Sequence, residues 1–239
     1  MKAATLVAAL ALAGGSTADP YAHCNGDVVV RKAIQDLSAD EWSVYTSTIQ
    51  QAMGSGLWQT FADLHNAQAN YIHGQTSIFL FWHRQFLKWS EQKLQEIEPD
   101  FYWPYWPVDR SWAAEQWSND PVWRIMGKTV DQGFVARHTF NHADSTTGPL
   151  LRAVDWTSDL PSSQQYAAAY ANAITSGEGF RSYSDTVQAF HGWFHVTMGG
   201  DMSTMESPLD PLFFLHHVRS FLHWCPLLPC CLFVRRFPF

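Results

Sequence analysis

Histidine placement constrains this chain more than any other feature. Its 11 histidines are spread unevenly over 239 residues: His65, His73 and His83 form one group, and His191, His195, His216, His217 and His223 another. Several sit in runs that must be buried. His83 follows Ile78-Phe79-Leu80-Phe81-Trp82, and His216-His217 close the run Leu212-Phe213-Phe214-Leu215. An imidazole carried into such surroundings loses its hydration and needs a partner. A satisfied core histidine explains any one of them. For the groups together that explanation is poor, and histidine is the commonest metal ligand.

The local pattern around these histidines is helical. Ser38-Ala39-Asp40-Glu41 is a capping box, in which the Ser and Glu side chains satisfy two free amides reciprocally. Trp42, Tyr45, Ile49 and Met53 then recur at helical spacing until Gly54 and Gly56. A second helix is expected over Trp58–Asn70, with Trp58, Phe61, Ala62 and His65 on one face. A third runs from about Phe79 to Ile97 and is closed by Pro99. Phe101 to Pro107 cannot be regular helix, because Pro104 and Pro107 remove amide donors and restrict their predecessors. The pattern stays loose to about Ser184, apart from a short helix over Ser162–Ile174. Helix resumes over Ser184–Met198 and Pro208–Trp224. The fold class is therefore mainly α, a helical-bundle core with long irregular loops.

Length allows one domain, and a hydrophobic content of 46% gives it a sizeable core. Lys2, the apolar run Thr5 to Ala13 and the small residues Ser16-Thr17-Ala18 read as a signal peptide over residues 1–18. The expected domain then spans residues 19–224, followed by an atypical tail over 225–239, and the localisation is secreted. No other segment reads as membrane-spanning. A net charge of −7 without a long basic run argues against nucleic acid or an anionic membrane surface as partner. Cys24 stands alone while Cys225, Cys230 and Cys231 crowd the end, so no disulfide framework is expected.

In His191-Gly192-Trp193-Phe194-His195 the two histidines are four apart on one helix face, roughly 5–6 Å apart at Cβ, so both can meet one ion. The Glu that a zinc protease places beside the first His is missing. Asp210-Pro211 is a good helix start, and the adjacent rings of His216 and His217 must point about 100° apart, so they cannot bind alike. His138 and His142 are also four apart but lie in a polar loop, where a structural or solvent-facing role is expected.

The first group, with Phe79-Leu80-Phe81-Trp82-His83-Arg84, resembles the copper-A region of tyrosinases and catechol oxidases. The second, His191-x-x-x-His195, Gly199-Gly200 and Asp210-Pro211-x-Phe213-x-x-His216-His217, resembles their copper-B region. Arg31-Lys32 and Leu37 to Glu41 are similar to the start of compact fungal-type members. The resemblance covers roughly Arg31 to His217. It implies a type-3 centre of two copper ions, with His65, His73 and His83 on one copper and His191, His195 and His217 on the other. His216, Asp210 and Arg84 then become supporting residues. It implies dioxygen and a small phenol as reactants, oxidation of o-diphenols to o-quinones, and in some members hydroxylation of monophenols. Gly192 stands where strong monophenol hydroxylases often carry Asn, and Val187, Gln188 and Ala189 offer no acid just upstream, so diphenol oxidation is expected to dominate.

Four positions depart from the family pattern. The spacer from His73 to His83 is nine residues, one longer than usual. Tyr71 stands where many fungal members have a Cys cross-linked to the neighbouring ligand, so no thioether is expected. The usual Pro-Tyr-Trp-Asp-Trp run becomes Pro104-Tyr105-Trp106-Pro107-Val108-Asp109, and Phe221 replaces an expected Asp. The text after His217, beginning Val218-Arg219, is also what a retained intron could encode, which would leave His217 on a weakly supported helix end. Two other readings fit the composition: a non-catalytic relative, and an aromatic-rich binding module without metal.

Overall fold

The computed structural model describes residues 31–224 except 75, 130, 177 and 178. The expected signal peptide, the four cysteines and the tail lie outside the described residues.

Helix α1 (Ala39–Gly54) starts on the expected capping box: Ser38 Oγ accepts from the Glu41 amide, and Glu41 accepts from the Ser38 amide. The single helix expected over Trp58–Asn70 is two, α2 (Leu57–Ala67) and α3 (Ala69–Gly74). The break falls at Gln68, whose φ of −100° and ψ of 1° leave the helix and whose amide is shared between the Leu64 and His65 carbonyls. That bend turns His73 back toward His65, with ring centroids 5.1 Å apart. Helix α4 (Thr76–Gln95) carries His83.

As its prolines require, Phe101 to Pro107 is irregular, and two one-turn helices follow, α5 (Ala114–Trp117) and α6 (Trp123–Met126). A small antiparallel hairpin joins β1 (Phe140–Asn141) to β2 (Thr147–Gly148), with Phe140 opposite Gly148. Helix α7 (Ser163–Thr175) has its own capping box and packs on α8 (Gly179–Met198), which begins before the expected Ser184. Helix α9 (Leu212–Trp224) follows two short 3-10 turns, Gly200–Ser203 and Ser207–Leu209. Helices α4, α8 and α9 pack on one another, and α2 packs on the turn before α9.

An aromatic knot sets this arrangement. Phe214 of α9 stacks on Trp103 at 4.2 Å and 3°, and lies 5.2 Å from Trp58 and 5.8 Å from Phe61 of α2. Trp58 Nε1 donates to the Leu209 carbonyl at 3.0 Å, and Trp103 Nε1 to Ser90 Oγ at 3.1 Å, so the buried indoles leave no polar atom stranded. Each such ring contributes about 1.5–3 kcal/mol by burial. The knot holds α9, and with it His216 and His217, against α2 and α4.

Residues 218–221, directly after His217, are held in place, where a weakly supported helix end was expected. Val218 and Phe221 are buried. Arg219 makes a bidentate pair with Asp109, both contacts at 2.6 Å. The altered Pro-Val-Asp run thus supplies the anion that anchors α9.

Candidate metal centre

The histidines arrive on five helices. His65 lies on α2, His73 on α3 and His83 on α4, and their ligand atoms all fall within 4.8 Å of one another. His191 and His195 lie one turn apart on α8, with His216 and His217 facing them from α9. The two groups adjoin: His83 and His217 rings stack at 4.7 Å.

Hydrogen bonds fix how each ring presents itself. Nδ1–H of His65 donates to the Met205 carbonyl at 2.7 Å, that of His83 to Phe79 at 2.8 Å, and that of His195 to Met202 at 2.6 Å. His73 Nδ1 reaches the Ala69 carbonyl at 3.3 Å. Ser220 gives its hydroxyl proton to the His216 carbonyl and accepts from His191 Nδ1–H at 3.1 Å. A carbonyl can only accept, so the proton sits on Nδ1 and the Nε2 lone pair is left free. Yet Nε2 of His65 lies 3.3 Å from Nε2 of His83, and Nε2 of His195 lies 2.9 Å from that of His191. Two lone pairs aimed at each other repel. They are compatible with a shared cation, since two nitrogens about 2 Å from one ion stand about 3 Å apart.

Burial keeps the rings uncharged. It pushes His65 down to about 3 and His195 to about 4, holds His83, His191 and His217 well below the ordinary histidine range, and lowers His73. Neutral imidazole is the form a metal needs.

The adjacent pair on α9 divides as the helix geometry requires. His216 donates Nε2–H to the His191 carbonyl at 3.0 Å and is sandwiched between Phe194 at 4.0 Å and the His191 ring at 4.3 Å. Distance alone groups a His216 nitrogen with His191 and His195. His217 Nε2, in contrast, is buried with no hydrogen-bond partner. Its ring stacks on Phe213 at 3.8 Å and lines a cavity of about 230 Å³ together with His65, His73, His191 and His195. Phe79, Gln188 and Gly192 also line it, and Gln188 Oε1 is likewise buried without a partner. A larger cleft of about 420 Å³ beside Arg31 and Tyr102 contains no histidine and has no part in this site.

Residues 55–220 match the family profile of the common central domain of tyrosinase. The chain belongs to the tyrosinase family. It is 28% identical over 219 residues to a tyrosinase of Streptomyces glaucescens, which covers 80% of this chain and 79% of that protein. It is 27% identical over 251 residues to the grixazone synthase of Streptomyces griseus, covering 80% and 81%. It is also 26% identical over 204 residues to the hemocyanin 2-c chain of Megathura crenulata, covering 82% of this chain and 48% of that one. The tyrosinase family uses a dicopper centre, and the two histidine groups here fit its two copper sites. All-imidazole ligation suits copper.

The remaining expectations resolve unevenly. Asp210 is wholly buried and paired with Arg152, a partner that the sequence pattern did not disclose, at 2.7 Å. Arg84 is half-buried, and the acceptors of the ligand histidines' Nδ1–H groups are the Met205, Ala69, Phe79 and Met202 carbonyls and the Ser220 hydroxyl. His138 is half-buried, and His142 takes the structural of the two expected roles: it is buried against Asp201 and Glu206. Those carboxylates come from the distant turn before α9, so no local pattern around His142 could announce them.

Proposed function

We propose that the chain is a type-3 dicopper oxidase, with His65, His73 and His83 on one copper and His191, His195 and His217 on the other. The unpartnered, buried Nε2 of His217 is the observation that carries this choice over His216, whose Nε2–H is already committed to a carbonyl. The substrate class is o-diphenols, and the product is the o-quinone. Two bound coppers would supply the redox chemistry, by which two diphenols each lose two electrons and two protons while one dioxygen is reduced to two waters.

The protein's part is orientation and exclusion. The Nδ1 hydrogen bonds hold five rings in the ligating tautomer, and burial keeps all six neutral. Phe79, 4.5 Å from the His83 ring, gives the cavity a flat apolar wall suited to a phenol ring. Gly192 leaves its part of the lining open, since a Cβ there would meet nothing within 4 Å. Gln188 and Gly192 line the cavity without offering a carboxylate to take a phenol proton. Monophenol hydroxylation should accordingly lag diphenol oxidation by about 10²–10⁴-fold, the usual worth of a general base.

Oxygen uptake by copper-loaded protein tests this: fast with catechol, slow with tyrosine. Comparable rates on both would overturn the diphenol preference. A copper–oxygen absorption band without catechol turnover would point instead to oxygen binding, a reading that the hemocyanin relative keeps in view. Secretion is part of the proposal, supported by the apolar Thr5–Ala13 run after Lys2. Among the described residues no helix is long and apolar enough to cross a membrane.

A further inference from the structure

The turn between α8 and α9, residues 199–209, contains no copper ligand, yet it touches both halves of the centre. The Met202 carbonyl accepts from His195 Nδ1–H and the Met205 carbonyl from His65 Nδ1–H, at 2.6 and 2.7 Å. Two carbonyls three residues apart therefore set the ring plane and tautomer of one histidine in each copper group.

This strap is pinned from outside the site. Gly199 and Gly200 adopt φ of 58° and 54°, and a Cβ on either would lie 2.3 or 2.2 Å from the Ala153 or Leu151 carbonyl oxygen. The Asp201 amide donates to the Leu151 carbonyl at 2.9 Å, and Asp201 Oδ2 accepts from the Leu151 amide at 2.7 Å. At the far end of the strap, Glu206 Oε1 accepts from the Ala143 amide. His142, carried by the β1–β2 hairpin, sits between the two carboxylates. Its Nδ1 is 3.6 Å from Asp201 Oδ1 and 3.8 Å from Glu206 Oε2, while Nε2 reaches the Pro149 carbonyl at 3.3 Å. All three side chains are largely buried, at 7%, 4% and 15% exposure. Without the imidazole, two carboxylates would face each other across a poorly solvated gap, and like charges in such a place push apart.

We propose that His142, Asp201 and Glu206 are positioning residues of the metal centre, a clasp that holds the strap and thereby governs copper retention at both sites together. The inference rests on the dicopper reading above. A free strap would withdraw the acceptors that keep His65 and His195 protonated at Nδ1; either ring could then carry its proton on Nε2, where it cannot ligate. Loss of such outer hydrogen bonds typically costs 10–100-fold in metal affinity.

The test has two readouts on the full chain. In the copper-free protein, ¹⁵N NMR reports the tautomers of His65 and His195 without requiring any metal. In the copper-loaded protein, a chelator reports the release rate of each copper. His142→Phe should move both rings from the Nδ1–H form toward a tautomer mixture and release both coppers about 10–100-fold faster. Glu206→Gln keeps an oxygen for the Ala143 amide but removes the charge, and should act in the same direction more weakly. Leu94→Ala, in a fully buried position on α4 away from the strap, should lower stability yet leave tautomers and release rates unchanged. Unchanged tautomers in both clasp variants would overturn the proposal, as would faster release of one copper alone or an equal effect from Leu94→Ala. Native tautomers in a wild-type chain that takes up no copper would sink the dicopper reading while leaving the clasp standing.

Discussion

The buried pair between Arg152 and Asp210 should make Asp210→Ala one of the most damaging single changes outside the histidines. The pair is bidentate, at 2.7 and 2.9 Å, with side-chain exposures of 2% and 0%. Arg152 also donates to the carbonyls of Met126 and Gly127, and Asp210 accepts from the Leu212 amide at 3.0 Å at the start of α9. Removing the carboxylate strands a guanidinium in the core, which costs about 3–5 kcal/mol, and takes away a cap worth about 1 kcal/mol. These losses overlap, so a total of about 4 kcal/mol is expected. A domain of ordinary stability has only about 5–15 kcal/mol to lose. With a urea dependence of about 2–3 kcal/mol per molar, the unfolding midpoint should drop by about 1.3–2 M. Tryptophan fluorescence of the copper-free protein in urea measures it. The double variant Arg152→Met with Asp210→Leu removes both charges and should recover a large part of the loss. A single-variant loss under about 1 kcal/mol, or a double variant worse than the single, would refute this account of the pair.

Other consequences follow at the site. His217→Ala should lower copper content to one per chain, whereas His216→Gln, which keeps an amide donor for the His191 carbonyl, should keep two; metal analysis of the purified variants decides between them. Gly192→Asn has open space for its side chain and should leave thermal stability within experimental scatter while raising the tyrosine-to-catechol rate ratio, read by oxygen uptake. Acid should destabilise the copper-free protein. Buried His65 and His195 titrate near about 3 and about 4, against 6.5 in the unfolded chain, so below pH 6.5 the unfolded state takes up protons first. Stability should be flat above that pH and fall as pH drops toward 4, followed as the urea midpoint against pH. A midpoint independent of pH from 7 to about 4 would contradict burial of these rings.

Much of this was legible in the chain because local physics dictates it. Ser38 and Glu41 announce a cap that needs only neighbouring residues, and Pro104 and Pro107 forbid helix wherever they stand. The spacing of His191 and His195 puts both on one face of α8 regardless of the rest. The bend at Gln68 was not legible, since neither Gly nor Pro marks it; it follows from α3 packing back onto α4. The roles of Arg152 and His142 depend on partners more than fifty residues away, Asp210 and the Asp201–Glu206 carboxylates. The helix period shows that His216 and His217 must differ. Only the packed neighbours, Phe194 and the His191 carbonyl against an empty-handed Nε2, show how.

The central claim is that six neutral imidazoles, four of them buried and two partly buried, hold two copper ions, and copper stoichiometry tests it most directly. The full chain, reconstituted with copper, freed of loose metal and measured by elemental analysis against protein concentration, should carry two coppers. One copper per chain would mean that one of the two histidine groups does not bind. None would contradict the metal centre altogether.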